Sequence, residues 1–237
     1  MLRTIAWYTH FTLSLIGTIP KLYKVDALEK SGKTNERNDY IHRTTSNWAM
    51  SQVKLSGAKV NVFGEEHIPK DVPVLFVSNH QSNFDIALFM SYIDKPKGYI
   101  AKIEMNKIPI LREWMKHLHC VLMDRSSLRK SVEAITEGIK ILKNGYSLVI
   151  FPEGTRSKSN EIGDFKAGSF KLATKAKVPI VPVTIKGSYK LMEQNNNMIK
   201  PAEVQMYIHP IIETSNLTKE EEDNLSTRVK KIIESKL

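Results

Sequence analysis

Seven short apolar runs, separated by stretches of helical periodicity, constrain this chain more than anything else in it. They cover residues 59–63, 74–77, 98–102, 120–123, 147–151, 180–185 and 203–209. Runs of this length bounded by turn residues read as strands, and those without polar alternation read as strands buried on both faces. Between them lie segments of helical period. The clearest is 127–143, where Leu128, Val132, Ile135, Ile139 and Leu142 share one face and Asn144-Gly145 supplies the stop. Strands that alternate with helical crossovers predict an α/β fold, a mixed and largely parallel sheet of about seven strands flanked by helices. The charged segment 219–237 reads as a solvated final helix.

The amino end departs from this pattern. Residues 4–20 carry no acidic or basic side chain except His10 and contain Ile5, Trp7, Tyr8, Phe11, Leu13, Leu15, Ile16 and Ile19. Interrupting threonines and serines, and a length below the roughly 20 apolar residues that span a bilayer, favour a helix lying in the membrane interface. A spanning helix and a core helix are the alternatives; no small-residue cleavage site marks a signal peptide. Residues 26–38 are polar and read as a linker. Ile41, Trp48 and Leu55 then recur on one helical face. The expectation is a two-helix membrane-docking segment over 1–58, followed by a single α/β domain over 59–237.

Asn79-His80-Gln81-Ser82-Asn83-Phe84-Asp85 joins a strand to a helix, where open α/β sheets place their chemistry. His80 can take a proton from a hydroxyl, and a carboxylate on its other ring nitrogen, such as Asp85, would fix its tautomer. The same residues also read as a capping box, Ser82 with Asp85, and one carboxylate can serve both purposes. Phe151-Pro152-Glu153-Gly154-Thr155-Arg156-Ser157 follows another strand. Gly154 permits a tight path with open amides and Arg156 offers a planar fork for a phosphate; a surface turn with a Glu153–Arg156 ion pair is the plainer alternative. Lys102 and Arg125 stand at further strand ends.

The net charge of +10 calls for an anionic partner: membrane, nucleic acid or a phosphorylated substrate. No nucleic-acid motif or stacking platform accompanies it, so none is expected. The single cysteine, Cys120, excludes an intrachain disulfide and sits in a strand where an inert thiol is the default. His117-Leu118-His119-Cys120 lacks a second ligand cluster, so no metal is expected there.

Asn-His-x-x-x-x-Asp at 79–85, Phe-Pro-Glu-Gly-Thr-Arg-Ser at 151–157 and Val-Pro-Ile-Val-Pro-Val at 178–183 resemble, in order, the first, third and fourth blocks of the glycerolipid acyltransferases. Within them the chain is similar to the 1-acyl-sn-glycerol-3-phosphate acyltransferases, over about 60–209. The resemblance implies a glycerolphosphate acyltransferase-like fold. It makes His80 the general base and Asp85 its partner, and it places Lys102, Arg125, Glu153, Gly154, Thr155 and Arg156 around the acceptor's phosphate. Two positions depart from the second block: His119 stands where glycine is usual and Leu122 where phenylalanine is.

The reaction implied is acyl transfer from acyl-coenzyme A or acyl carrier protein to the 2-hydroxyl of lysophosphatidic acid, giving phosphatidic acid in phospholipid synthesis. It needs no bound cofactor, and no Gly-x-Ser-x-Gly elbow demands an acyl-enzyme. An enzyme of this kind would sit on anionic phospholipid at the cytoplasmic face of its membrane. The rivals are another lysophospholipid as acceptor, and a non-enzymatic basic module binding membrane or nucleic acid.

Overall fold

The computed structural model describes residues 1–237. Its centre is one seven-stranded sheet of β1 (Lys59–Phe63), β2 (Leu75–Ser78), β3 (Lys97–Lys102), β4 (Val121–Met123), β5 (Ser147–Ile150), β6 (Ile180–Lys186) and β7 (Glu203–Ile208), in the order β1-β7-β6-β2-β5-β3-β4. Every pairing is parallel except β6 with β7. The expected mixed, largely parallel sheet is therefore present, each strand within a residue or two of its apolar run. β2, β5 and β6 are buried at nearly every position. That explains why they read as unbroken apolar runs while the peripheral β1 alternates.

The crossovers are α4 (Phe84–Tyr92), α5 (Pro109–His117), α6 (Leu128–Lys143) and α7 (Lys171–Ala176), with α8 (Lys219–Glu234) closing the chain. Two apolar layers sandwich the sheet. One contains Phe76, Leu88, Phe89, Val149 and Val181; the other contains Leu75, Leu142, Leu148, Leu172 and Ile180. The charged final helix is not wholly solvated. Leu225, Val229 and Ile233, at helical spacing, are buried in the second layer, while the charges occupy its outer face.

At the amino end lie α1 (Leu2–Ile16), α2 (Ile19–Lys30) and α3 (Thr34–Ser56). Here the expected linker over 26–38 is corrected: only Ser31–Lys33 interrupts the helices, with Gly32 at φ +71°. The polar residues taken for a linker are the solvent faces of two helices whose inner faces bury Val25, Leu28, Arg37 and Ile41. Trp7 on α1 and Val53 on α3 join the first apolar layer of the sheet, so these helices rest directly on the α/β body. Trp7 Nε1 donates to the Gln52 carbonyl at 3.0 Å, and its ring lies 5.3 Å from that of Phe84.

Candidate active site

Five neighbouring parallel strands, β6-β2-β5-β3-β4, end on the same edge of the sheet. The segments that leave them there are 79–85 after β2, 151–157 after β5, Lys102 at the end of β3, Arg125 after β4 and Gly187-Ser188 after β6. Parallel topology thus gathers residues more than a hundred positions apart in sequence.

At the centre His80 Nδ1 lies 2.7 Å from Asp85 Oδ2. Asp85 is fully buried, and the same oxygen accepts the backbone N–H groups of Gln81 at 2.7 Å and Ser82 at 2.9 Å. Its other oxygen accepts the Ser188 hydroxyl at 2.6 Å. A carboxylate that only accepts puts the proton on Nδ1 and leaves Nε2, on the far edge of the ring, as the basic nitrogen. The hydrogen bond of the dyad reading is present, whereas the capping box is only half formed: Asp85 accepts the Ser82 N–H, but Ser82 Oγ accepts from the Phe84 N–H at 3.1 Å and the Asp85 N–H goes to the Ser82 backbone carbonyl at 3.2 Å, so no side chain caps α4. The imidazole lies flat on Phe151, with centroids 4.2 Å apart.

Backbone ties fix this ring further. The His80 N–H donates to Glu153 Oε1 at 2.7 Å, and the His80 carbonyl accepts the Ser157 N–H at 2.8 Å. Glu153 Oε2 accepts the Gly163 N–H at 2.8 Å. Burial pushes the Glu153 carboxyl above the ordinary range while those two amides pull it back. The plainer reading of a Glu153–Arg156 ion pair is not realised. Arg156 instead meets Glu193 at 2.8 Å, and Glu153 lies beneath His80, away from the cavity wall.

A cavity of about 360 Å³ opens here, lined by His80, Phe151, Gly154, Thr155 and Arg156, with Lys102 and Arg125. Of the eight residues singled out from sequence, six line it; Asp85 and Glu153 stand behind the wall. Arg125 Nη1 donates to the Gly154 carbonyl. Gly154 has φ +76°, a conformation that side-chain-bearing residues rarely adopt, so the loop's path favours glycine. From this polar mouth the cavity runs under α1 and α3 between Leu15, Trp48, Met90, Tyr99, Trp114 and Leu118. One end is therefore cationic and the other apolar.

Two participants carried no signal in the sequence. Ser188 and Glu193 come from irregular backbone after β6. His117, His119 and Cys120 do not converge. His117 Nδ1 faces an Arg37 N–H at 3.1 Å, His119 packs on Tyr146, and Cys120 is in the cavity wall, where burial pushes its thiol up to about 12. His119 has φ +56°, the left-handed conformation glycine adopts freely, which accounts for the glycine usual there.

The family model described as Acyltransferase matches residues 59–186. Among curated relatives, a probable 1-acyl-sn-glycerol-3-phosphate acyltransferase of Mycoplasma genitalium is 31% identical over 238 residues, covering 95% of this chain and 87% of that one. The 1-acyl-sn-glycerol-3-phosphate acyltransferase of Borreliella burgdorferi is 31% identical, covering 77% and 73%. The crystal structure of the 1-acyl-sn-glycerophosphate acyltransferase PlsC from Thermotoga maritima matches with a TM-score of 0.83 at 28% identity, over 99% of this chain and 95% of that one.

Proposed function

This chain belongs to the acyltransferase family, and from that premise we propose that its sheet-edge cavity acylates the 2-hydroxyl of 1-acyl-sn-glycerol 3-phosphate. The reaction forms phosphatidic acid from an acyl thioester. The observation that carries the residue assignments is the pairing of a His80–Asp85 dyad with a cavity cationic at one end and apolar at the other.

His80 Nε2 takes the acceptor's hydroxyl proton as that oxygen attacks the thioester carbonyl. Asp85 holds the ring and stabilises the imidazolium that forms. Collapse of the tetrahedral intermediate breaks the carbon–sulfur bond, and the imidazolium returns the proton to the departing thiolate. No acyl-enzyme is required, and Cys120, held protonated, is a poor nucleophile.

For the developing oxyanion the choice of donors is narrow. The amides of His80, Gln81, Ser82, Asn83, Gly154 and Ser157 are all engaged within the chain. Those of Thr155 and Arg156 make no such bond and border the cavity, so they serve the oxyanion or the acceptor's phosphate. Arg156, Arg125 and Lys102 supply the charge for the phosphate, and holding it places the hydroxyl at His80. The apolar arm takes an acyl chain.

The donor is acyl-coenzyme A or acyl carrier protein, soluble in either case, while acceptor and product reside in the leaflet. We place the protein on anionic phospholipid at the cytoplasmic face, held by α1. The test is thiol release from each donor, with and without lysophosphatidic acid in vesicles, for wild type and His80→Ala. Acceptor-dependent release that disappears in the folded variant supports the reading. Release that survives in His80→Ala removes His80 from the chemistry.

A further inference from the structure

Glu193 lies outside every motif read from the sequence, in a short turn (Glu193–Asn195) between β6 and β7. Its side chain is only 2% exposed. One oxygen, Oε1, accepts from Arg156 Nη1 at 2.8 Å and from the Asn83 N–H at 2.9 Å. The other, Oε2, is buried without any partner. Removing a carboxylate from water costs several kcal/mol unless a partner offsets it. Fastening the Asn83 amide would not require a charge, since a neutral carbonyl oxygen accepts an amide equally well. The guanidinium is the one charged group bonded to this carboxylate.

The contact has a further property. Glu193 engages Arg156 through Nη1 alone, where a two-pronged pairing would consume two donors of the planar fork. The remaining donors of Arg156, whose side chain is 31% exposed at the cavity wall, are left unspent. The same Oε1 reaches Asn83 in the turn that carries His80 and Asp85, so one atom fixes the guanidinium relative to the dyad.

We propose that Glu193 is a positioning residue for the acyl-transfer reaction: it holds one edge of Arg156 so that the rest of the guanidinium stays turned to the acceptor's phosphate. The inference rests on the reading of Arg156 as a phosphate ligand, and it adds the residue that sets the arginine's direction. Without Glu193, Arg156 regains the rotamer freedom of a long side chain and must lose it again on binding.

The test is steady-state kinetics in mixed micelles, with lysophosphatidic acid and acyl-coenzyme A varied separately. Glu193→Ala is expected to raise the acceptor KM roughly tenfold while the donor KM holds, and Glu193→Gln, whose amide oxygen can accept both bonds, to stay within about threefold of wild type. In an Arg156→Ala background Glu193→Ala should cost nothing more, because its effect passes through the arginine. Calorimetric titration with lysophosphatidic acid, alongside melting temperatures, should reproduce the weakening without turnover. An acceptor affinity unmoved by Glu193→Ala, equal damage to both KM values, or losses that add in the double variant would each overturn the inference. Failure of the underlying reading looks different: Arg156→Ala would then leave the acceptor KM at the wild-type value.

Discussion

At the scale of single residues, the proposed reaction would rest on hydrogen bonds that admit few substitutions. Asp85→Asn removes the negative charge that stabilises the imidazolium, while its carbonyl oxygen can still accept the Gln81 and Ser82 amides and its NH₂ can face the Ser188 hydroxyl, which can accept. Turnover should fall about a thousandfold or more with little change in melting temperature, as measured by thiol release. Ser188→Ala removes the donor to Asp85 Oδ1 and leaves that buried oxygen unpaired, so kcat should drop about tenfold with the acceptor KM unchanged. Glu153 separates two readings sharply. If it bound phosphate, Glu153→Gln would act on acceptor KM. Because both its oxygens accept backbone amides, Glu153→Gln sets an NH₂ group against an N–H, and a loss of about 2 kcal/mol in chemical denaturation is expected instead. This contrast also marks what the sequence could tell. His80 and Asp85 were legible because both lie on one turn at a strand end, close enough for local chemistry to relate them. Glu153 was recognisable as important but not as a backbone anchor, since its partners are the amides of His80 and Gly163, and amides leave no trace in side-chain identity. Ser188 and Glu193 act across more than a hundred residues from an irregular segment with no periodicity.

At the scale of elements, the sequence read best where burial is uniform and worst where a helix is amphipathic with many charges. β2, β5 and β6 are buried on both faces, so hydrophobicity alone located them. The segments 26–38 and 219–237 looked like a linker and a solvated helix because charged residues outnumber apolar ones, yet a few apolar side chains at helical spacing, Val25 with Leu28 and Leu225-Val229-Ile233, are enough to fix a helix to the body. For α8 the attachment includes a polar tie. Thr184 on β6 donates to the Ile233 carbonyl at 2.7 Å, and its hydroxyl oxygen meets His209 Nε2, just past β7, at 2.8 Å. Since that hydroxyl has spent its proton on Ile233, Nε2 must be the donor, so the imidazole can be neutral with its proton there. Burial pulls the His209 pKa down to about 4, well below the ordinary histidine value near 6.5. The unfolded chain therefore binds more protons in this range, and stability falls as pH drops from about 6.5 towards 4. Denaturation midpoints across that window should decline for wild type. His209→Gln, which keeps a donor but cannot titrate, should show a shallower decline; identical slopes would remove His209 from the acid response.

At the scale of the whole molecule, the proposed reaction asks how a soluble thioester and a membrane lipid would meet in one cavity, and α1 offers an answer in its two faces. Its inner face, with Trp7 and Leu15 buried, is packed on α3 and against Phe84, the neighbour of Asp85. Its outer face leaves Leu2, Ile5, Leu13 and Ile16 between 48% and 84% exposed, in a helix of fifteen residues. No helix of the chain is long and apolar enough to cross a membrane, so the outer face suits a helix lying in the interface, with the positive charge of the body drawn to anionic headgroups. Because Trp7 is bonded to Gln52 and in contact with the helix that follows His80, a docked α1 would present the cavity to the leaflet in a fixed orientation. Leu13→Asp with Ile16→Asp should therefore reduce co-sedimentation with anionic vesicles at least tenfold, since each lost side chain contributes about 1.5–3 kcal/mol when buried in an apolar phase. The residual binding should be electrostatic and vanish in high salt, whereas wild type should retain a salt-resistant fraction. The active-site residues are untouched, so thiol release with a short-chain acceptor dispersed below its critical micelle concentration should be preserved. A double variant that binds vesicles like wild type at every salt concentration would remove α1 from the membrane contact.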